Sequence, residues 1–132
     1  MYFLDTNVLI YYLKDMHFVR NTLMKRQLSE YKIPSIVKAE LLTGANKSNK
    51  RIHSLEIAND LLSYFEIIPF DDKASICFSN IKYSLESKGN IIGPYDLIIA
   101  ATVLAHNGIL YTNNVKEFNR VKGLNVESII PY

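Results

Sequence analysis

The first ten residues, Met1–Ile10 (MYFLDTNVLI), hold the pattern on which the fold turns. A short apolar run, Tyr2–Leu4, stops at Asp5-Thr6-Asn7, and apolar residues resume at Val8-Leu9-Ile10. Asp, Thr and Asn satisfy the free N–H groups at a helix start, at about 1 kcal/mol each. The stretch therefore reads as a strand giving way to a helix. The alternation recurs, with apolar runs at Lys32–Ile36, Phe65–Pro69 and Ile109–Tyr111, and a weaker one at Leu124–Val126. Between them lie segments with helical spacing: one around Leu23 and Leu28, one marked by Ile52, Leu55, Ala58 and Leu62, and one by Ile76, Ile81 and Leu85. Strands alternating with helices predict an α/β fold, a parallel sheet with helices on both faces. In such folds ligands gather beyond the carboxyl ends of the strands.

The composition agrees. A chain of 132 residues with 48% hydrophobic and 21% charged side chains suits one globular domain and excludes a disordered or fibrous chain. It buries roughly two-thirds of its unfolded surface, enough to need no disulfide or structural metal. The lone Cys77 points to a reducing compartment. An acid at position 5 with no basic lead-in argues against a secretory signal. The longest uncharged run, Leu97–Ala105, is about half of what a bilayer crossing requires. The expectation is a cytoplasmic protein with no membrane anchor. Nine Lys and Arg lie between Lys14 and Arg51 against three acids, whereas from Ile52 onward nine acids outnumber six bases. That skew suits an anionic polymer lying over the first third, although solvated helix faces produce it equally well.

Four polar stations fall where strands give way to helices. Asp5 is the first. Glu40 lies in Ser35–Gly44 (SIVKAELLTG), which predicts a helix capped by Ser35 and stopped by Gly44. Asp96 follows Gly93-Pro94-Tyr95, with proline in the first turn of a helix that is apolar all round and hence central. Thr112-Asn113-Asn114 closes the fourth apolar run. Taken singly, Asp5 reads as a helix cap, Glu40 equally as a partly exposed acid or as a carboxylate half-sunk in an apolar face that needs a cation or donor, and Asp96 as a first-turn acid favoured by the helix dipole. Together, carboxylates meeting at one sheet edge repel, and survive there only with a bound cation or shifted pKa values. Oxygen ligands alone suit Mg²⁺, with Mn²⁺ as a substitute. Zinc does not fit, since Cys77 lacks a sulfur partner and His17, His53 and His106 lack ligand spacing.

In order and spacing these pieces resemble the PIN-domain ribonucleases, and within them the VapC-type toxins of prokaryotic toxin–antitoxin pairs. The resemblance rests on Leu4-Asp5-Thr6-Asn7, Ala39-Glu40-Leu41-Leu42-Thr43-Gly44, Gly93-Pro94-Tyr95-Asp96 with Ile99-Ala100-Ala101, and Thr112-Asn113-Asn114 with Glu117-Phe118. It implies one PIN domain over residues 1–132, a three-layer α/β/α sandwich around a parallel sheet. It implies a metal-dependent endoribonuclease toxin in which Asp5, Glu40 and Asp96 hold Mg²⁺. Asn114 stands where the family carries Asp or Asn and would complete the outer contacts, leaving three formal negatives. Thr112 and Thr6 would be accessory. Lys47, Lys50 and Arg51 would hold RNA backbone. The last two motifs look most like the branch that cuts initiator tRNA in its anticodon loop. A homodimer and a VapB-type antitoxin are also implied, the antitoxin contacting operator DNA and placing a basic side chain in the acidic pocket. Leu9–Leu13 and Phe18-Val19 are its groove or simply core.

Two other classes compete. One is a catalytically weak PIN-like module that only binds RNA or a partner, for which the neutral Asn114 gives some footing. The other is a receiver domain or aspartyl-phosphate phosphotransferase. The latter wants a second Asp where Asn7 stands, and a receiver wants an acidic pair before Glu30.

Overall fold

Each of the five apolar runs supplies a strand in a computed structural model that describes residues 1–130. The strands are β1 (Tyr2–Leu4), β2 (Tyr31–Pro34), β3 (Glu66–Ile68), β4 (Ile109–Thr112) and β5 (Asn125–Ser128). All neighbours pair in parallel, in the order β3-β2-β1-β4-β5. The chain steps outward from β1 to β3, then returns to lay β4 on the other side of β1. That reversal makes β1 and β4 the switch point, where an open α/β sheet leaves a crevice.

Seven helices flank the sheet among the described residues: α1 (Thr6–Leu13), α2 (His17–Leu23), α3 (Ser35–Asn46), α4 (Arg51–Leu62), α5 (Asp72–Ser87), α6 (Pro94–Ala105) and α7 (Val115–Phe118). α1 packs on α2 and α3, and α3 on α4, while α5 and α6 pack together. Right-handed crossovers place these groups on opposite faces, giving the α/β/α sandwich. α6 begins with Pro94 after Gly93 and is buried along almost its whole length, as its composition predicts. Gly108 seats β4 against β1, because a Cβ there would lie 2.5 Å from the Phe3 ring. Tyr2, Tyr31 and Tyr111 share one sheet face, with Tyr2 and Tyr111 stacked at 5.3 Å and the Arg26 guanidinium 4.0 Å over the Tyr2 ring.

The local expectations that fail do so for identifiable reasons. Leu23 and Leu28 belong to different elements. α2 ends at Leu23, and Gln27 and Glu30 close a separate 3-10 turn over Leu28–Glu30 by reciprocal bonds. Ser35 makes no cap bond: Pro34, with φ of −59°, leads into α3, which runs through Gly44 to Asn46. Gly44 adopts helical geometry there, at a cost of about 1 kcal/mol relative to alanine. Ile52 and Ile76 are exposed, because α4 buries Ala58, Leu61 and Leu62 and α5 buries Ala74, Ile81 and Leu85.

Candidate active site

Asp5 immediately follows β1 and caps α1, so its ordinary structural role is real. Its Oδ1 accepts from the Thr6 backbone N–H at 2.8 Å; Oδ2 accepts from the Thr112 hydroxyl at 2.6 Å and the Asn7 amide at 3.2 Å. The Asp5 backbone N–H is tied to the Tyr111 carbonyl at 3.1 Å. Three donors on a carboxylate with about four lone-pair sites leave room for one cation contact. Asp5 is 4% exposed and Thr112 fully buried. Burial pushes the Asp5 carboxyl above its usual range, while Thr112, Thr6 and Asn7 hold it down and the charge of Glu117 raises it again.

Asp96 arrives from the N-terminus of α6. Its pKa is pushed up to about 7, first by burial, then by the charges of Asp5, Glu117 and Glu40. The charges of Asp5, Glu40 and Glu117 are therefore felt at Asp96. α3 and α6 touch across the edge of the sheet, which carries Glu40 towards Asp96. Glu40 is half-buried on α3 and accepts a 2.9 Å bond from the Thr6 hydroxyl. Thr6 and Thr112 thus each donate a hydroxyl to a carboxylate, one to Glu40 and the other to Asp5.

Sequence reasoning missed Glu117. It sits on the single turn of α7, where its Oε2 accepts from the Asn114 amide at 2.6 Å and its Oε1 from the Gly93 backbone N–H at 3.1 Å. Those bonds, led by Asn114, hold its carboxyl below the usual range. Asp96 lies beside it, and their proximity raises the Asp96 carboxyl and lowers that of Glu117. Asn114 accordingly orients a carboxylate, and its own N–H bonds the Thr112 hydroxyl at 2.9 Å. Asp96 is thus within electrostatic reach of three other carboxyl groups, one more than the neutral Asn114 suggests. The signal available beforehand was the spacing in Thr-Asn-Asn-x-x-Glu, which brings Asn114 and Glu117 together across one helical turn.

Among the described residues, no three His, Cys, Asp or Glu side chains stand close enough together to form a metal cage. That disfavours an ion needing a full set of protein ligands. A divalent cation that keeps several waters needs only one or two carboxylates. Carboxyl groups that raise each other's pKa are a donor set short of positive charge.

Lys47, Lys50 and Arg51 lie outside the pocket. Lys47 ends α3 two turns beyond Glu40, about 10 Å along the axis, and Arg51 opens α4 with a 2.8 Å bond to Asn46. All three are exposed. A groove starts at Glu40 and continues between α1, α2 and α4. Its near part, about 330 Å³, is lined by Ile10, Leu13 and Ile57 beside Glu40. Its far part, about 640 Å³, is lined by Tyr12, Leu13, Met24, Ile57 and Tyr64, with Arg20 and Arg26. Val19 is core instead, while the buried Leu9 belongs to the core and also lines the far part. No helix among the described residues is long and apolar enough to cross a membrane.

A family model described as "PIN domain" matches residues 2–124. The chain is 37% identical over 131 residues to the protein "Ribonuclease VapC2" of Rickettsia felis, covering 97% of both chains. It is 32% identical over 126 residues to "tRNA(fMet)-specific endonuclease VapC" of Salmonella typhimurium, covering 96% of both. Among solved structures it superposes with a TM-score of 0.89 and 38% identity on a chain of the Rickettsia felis VapBC2 complex bound to a promoter DNA fragment, covering 96% of this chain and 97% of that one.

Proposed function

The chain belongs to the PIN-domain family, and within it to the VapC-type ribonucleases; from that premise we propose that it is the endoribonuclease toxin of a toxin–antitoxin pair. The coupling of Asp5, Glu40, Asp96 and Glu117 at the β1/β4 crevice carries this reading. We read Asp5 and Asp96 as the residues that would hold Mg²⁺, or Mn²⁺ in its place, with Glu40 assisting. Such an ion supplies a water nucleophilic at neutral pH and absorbs charge on the phosphoryl oxygens. Thr112 and Asn7 hold Asp5 in one orientation, and Thr6 does the same for Glu40. Glu117, held ionised by Asn114 and Gly93, adds a further negative charge beside Asp96. Lys47, Lys50 and Arg51 bind backbone phosphates beyond Glu40. The preferred substrate is initiator tRNA cut in its anticodon loop, where bases are unstacked and readable; the name of the Salmonella relative supports that choice.

The partner is a VapB-type antitoxin, whose apolar segment lies in the groove from Tyr64 to Glu40 and delivers a basic side chain to the acids. The VapBC complex with promoter DNA supports a partner that contacts operator DNA while this chain forms a homodimer. The neutral Asn114, which gave a non-catalytic module its footing, is offset by Glu117.

The test is cleavage of initiator tRNA by purified protein free of antitoxin. Cleavage is expected with Mg²⁺ or Mn²⁺ and abolished by EDTA. Asp96→Ala, folded by circular dichroism, should lose about a thousandfold in rate, the scale of several kcal/mol of lost transition-state charge stabilisation. Continued cutting by that variant in EDTA overturns the proposal.

A further inference from the structure

We infer that Tyr95 is a stacking platform for an unpaired nucleobase beside the scissile phosphate; this rests on the nuclease reading above and adds a positioning residue to it. Tyr95 is 56% exposed in the first turn of α6, directly before Asp96. The helix behind it is among the most buried parts of the molecule, with Leu97, Ile99, Ala100 and Ala101 all in the core. The segment in front is pinned at two points. The Gly93 N–H donates to Glu117 Oε1 at 3.1 Å, and the Arg120 guanidinium donates to the Ile91 carbonyl at 2.9 Å. Directly after those points Pro94 fixes its own φ. The ring is therefore held out in water by rigid backbone, and ordering it on binding costs little.

Its direction suits the site. Helical Cα–Cβ bonds tilt towards the N-terminus, so Tyr95 and Asp96 both reach beyond the sheet's carboxyl edge, roughly 100° apart around the axis. The division of contacts there also calls for such a group. In the reading above the cation and Lys47, Lys50 and Arg51 hold phosphates, which leaves the bases on the α6 side to be held by a contact of another kind. The face of an aromatic ring accepts any base whatever its charge environment. Ile91, 67% exposed, adds apolar surface four residues earlier on the same segment. The exposed Arg120 uses one of a guanidinium's five N–H donors on Ile91, which leaves others for a flanking phosphate.

Steady-state cleavage of initiator tRNA and of total tRNA in Mg²⁺ tests the inference. Tyr95→Ala should raise KM about tenfold, within the range measured when a stacked base loses its aromatic partner, and leave kcat little changed. That split marks binding energy shared by ground and transition states. Tyr95→Phe and Tyr95→Trp should keep the parental KM, and no variant should shift the thermal midpoint, because the ring is exposed. An unchanged KM for Tyr95→Ala, with Asp96→Ala inactive, overturns the stacking role alone. A Tyr95→Phe as impaired as Tyr95→Ala also overturns it, since the hydroxyl would then be the contact. A parental protein that cuts neither RNA removes the nuclease reading, and this inference with it.

Discussion

β1, β2 and β4 carry two clusters of opposite character, separated by less than the length of a strand. On one face Tyr2, Tyr31 and Tyr111 pack ring against ring, with Arg26 over Tyr2. Just beyond the carboxyl ends, Asp5 and Thr112 meet Asp96, Glu40 and Glu117. Every contact in the first cluster is favourable. In the second, burial and like charge work against the ionised forms, and only hydrogen bonds from Thr112, Thr6, Asn7, Asn114 and Gly93 hold the groups in place. Tyr111 and Thr112 are consecutive, so one strand supplies both the packing that fixes the sheet and the hydroxyl that fixes Asp5. Stability and chemistry are built from adjacent residues with opposite energetic signs.

Breaking the favourable cluster has the largest effect. Tyr31→Ala empties a fully buried site and should cost about 3–5 kcal/mol by urea unfolding, the usual range for a buried aromatic. The surviving folded fraction should keep its cleavage rate per folded molecule. A loss of activity in excess of unfolding would erase the separation between the two regions.

Relieving the unfavourable cluster should do the reverse. Asp96 has a folded pKa near 7 against 3.8 unfolded, so the folded state binds the extra proton between those values. Metal-free protein should gain stability from this group as pH falls from 8 towards 4. Asp96→Asn removes the charge altogether. At pH 8 without metal it should stabilise by on the order of 1–2 kcal/mol, the full linkage value being discounted because the carboxyl is half-exposed. The gain should shrink towards pH 4. Thermal unfolding at both pH values checks this, and a destabilised Asn variant at pH 8 contradicts it.

A finer probe is Thr112→Val, which removes the hydroxyl on Asp5 Oδ2. The bond favours the ionised carboxylate, so its loss should cost about 1 kcal/mol above the Asp5 pKa and less below it. The Asp5 carboxyl should then titrate higher still, and cleavage should need higher pH or more Mg²⁺. An unchanged pH profile would mean that Thr112 only fills space.

How much was legible beforehand differs between fold and site in an instructive way. The strands were legible because a short buried strand is a continuous apolar run whatever surrounds it. Helix limits were not. Gly44 reads as a stop but lies inside α3, and Leu23 and Leu28 share a spacing without sharing a helix. Ile52 and Ile76 repeat at helical intervals yet face water, since periodicity gives a stripe but not which turns of it meet a partner. Asp5, Glu40 and Asp96 could be selected because parallel α/β folds bring strand–helix junctions to one edge. Glu117 shows only in the Thr-Asn-Asn-x-x-Glu spacing, and its place beside Asp96 depends on a single helical turn and on bonds to Asn114 and Gly93, the latter 24 residues away.

Local sequence alone determined the alternation of strand and helix, the central burial of α6 and the stationing of acids at its junctions, since each follows from side-chain polarity within a few neighbouring positions. Only the tertiary structure decided that β4 returns beside β1, that Glu117 joins the pocket, and that Asp96 titrates near 7. Those outcomes depend on distances between residues far apart in the chain, and Coulombic coupling and desolvation have no magnitude until folding sets those distances.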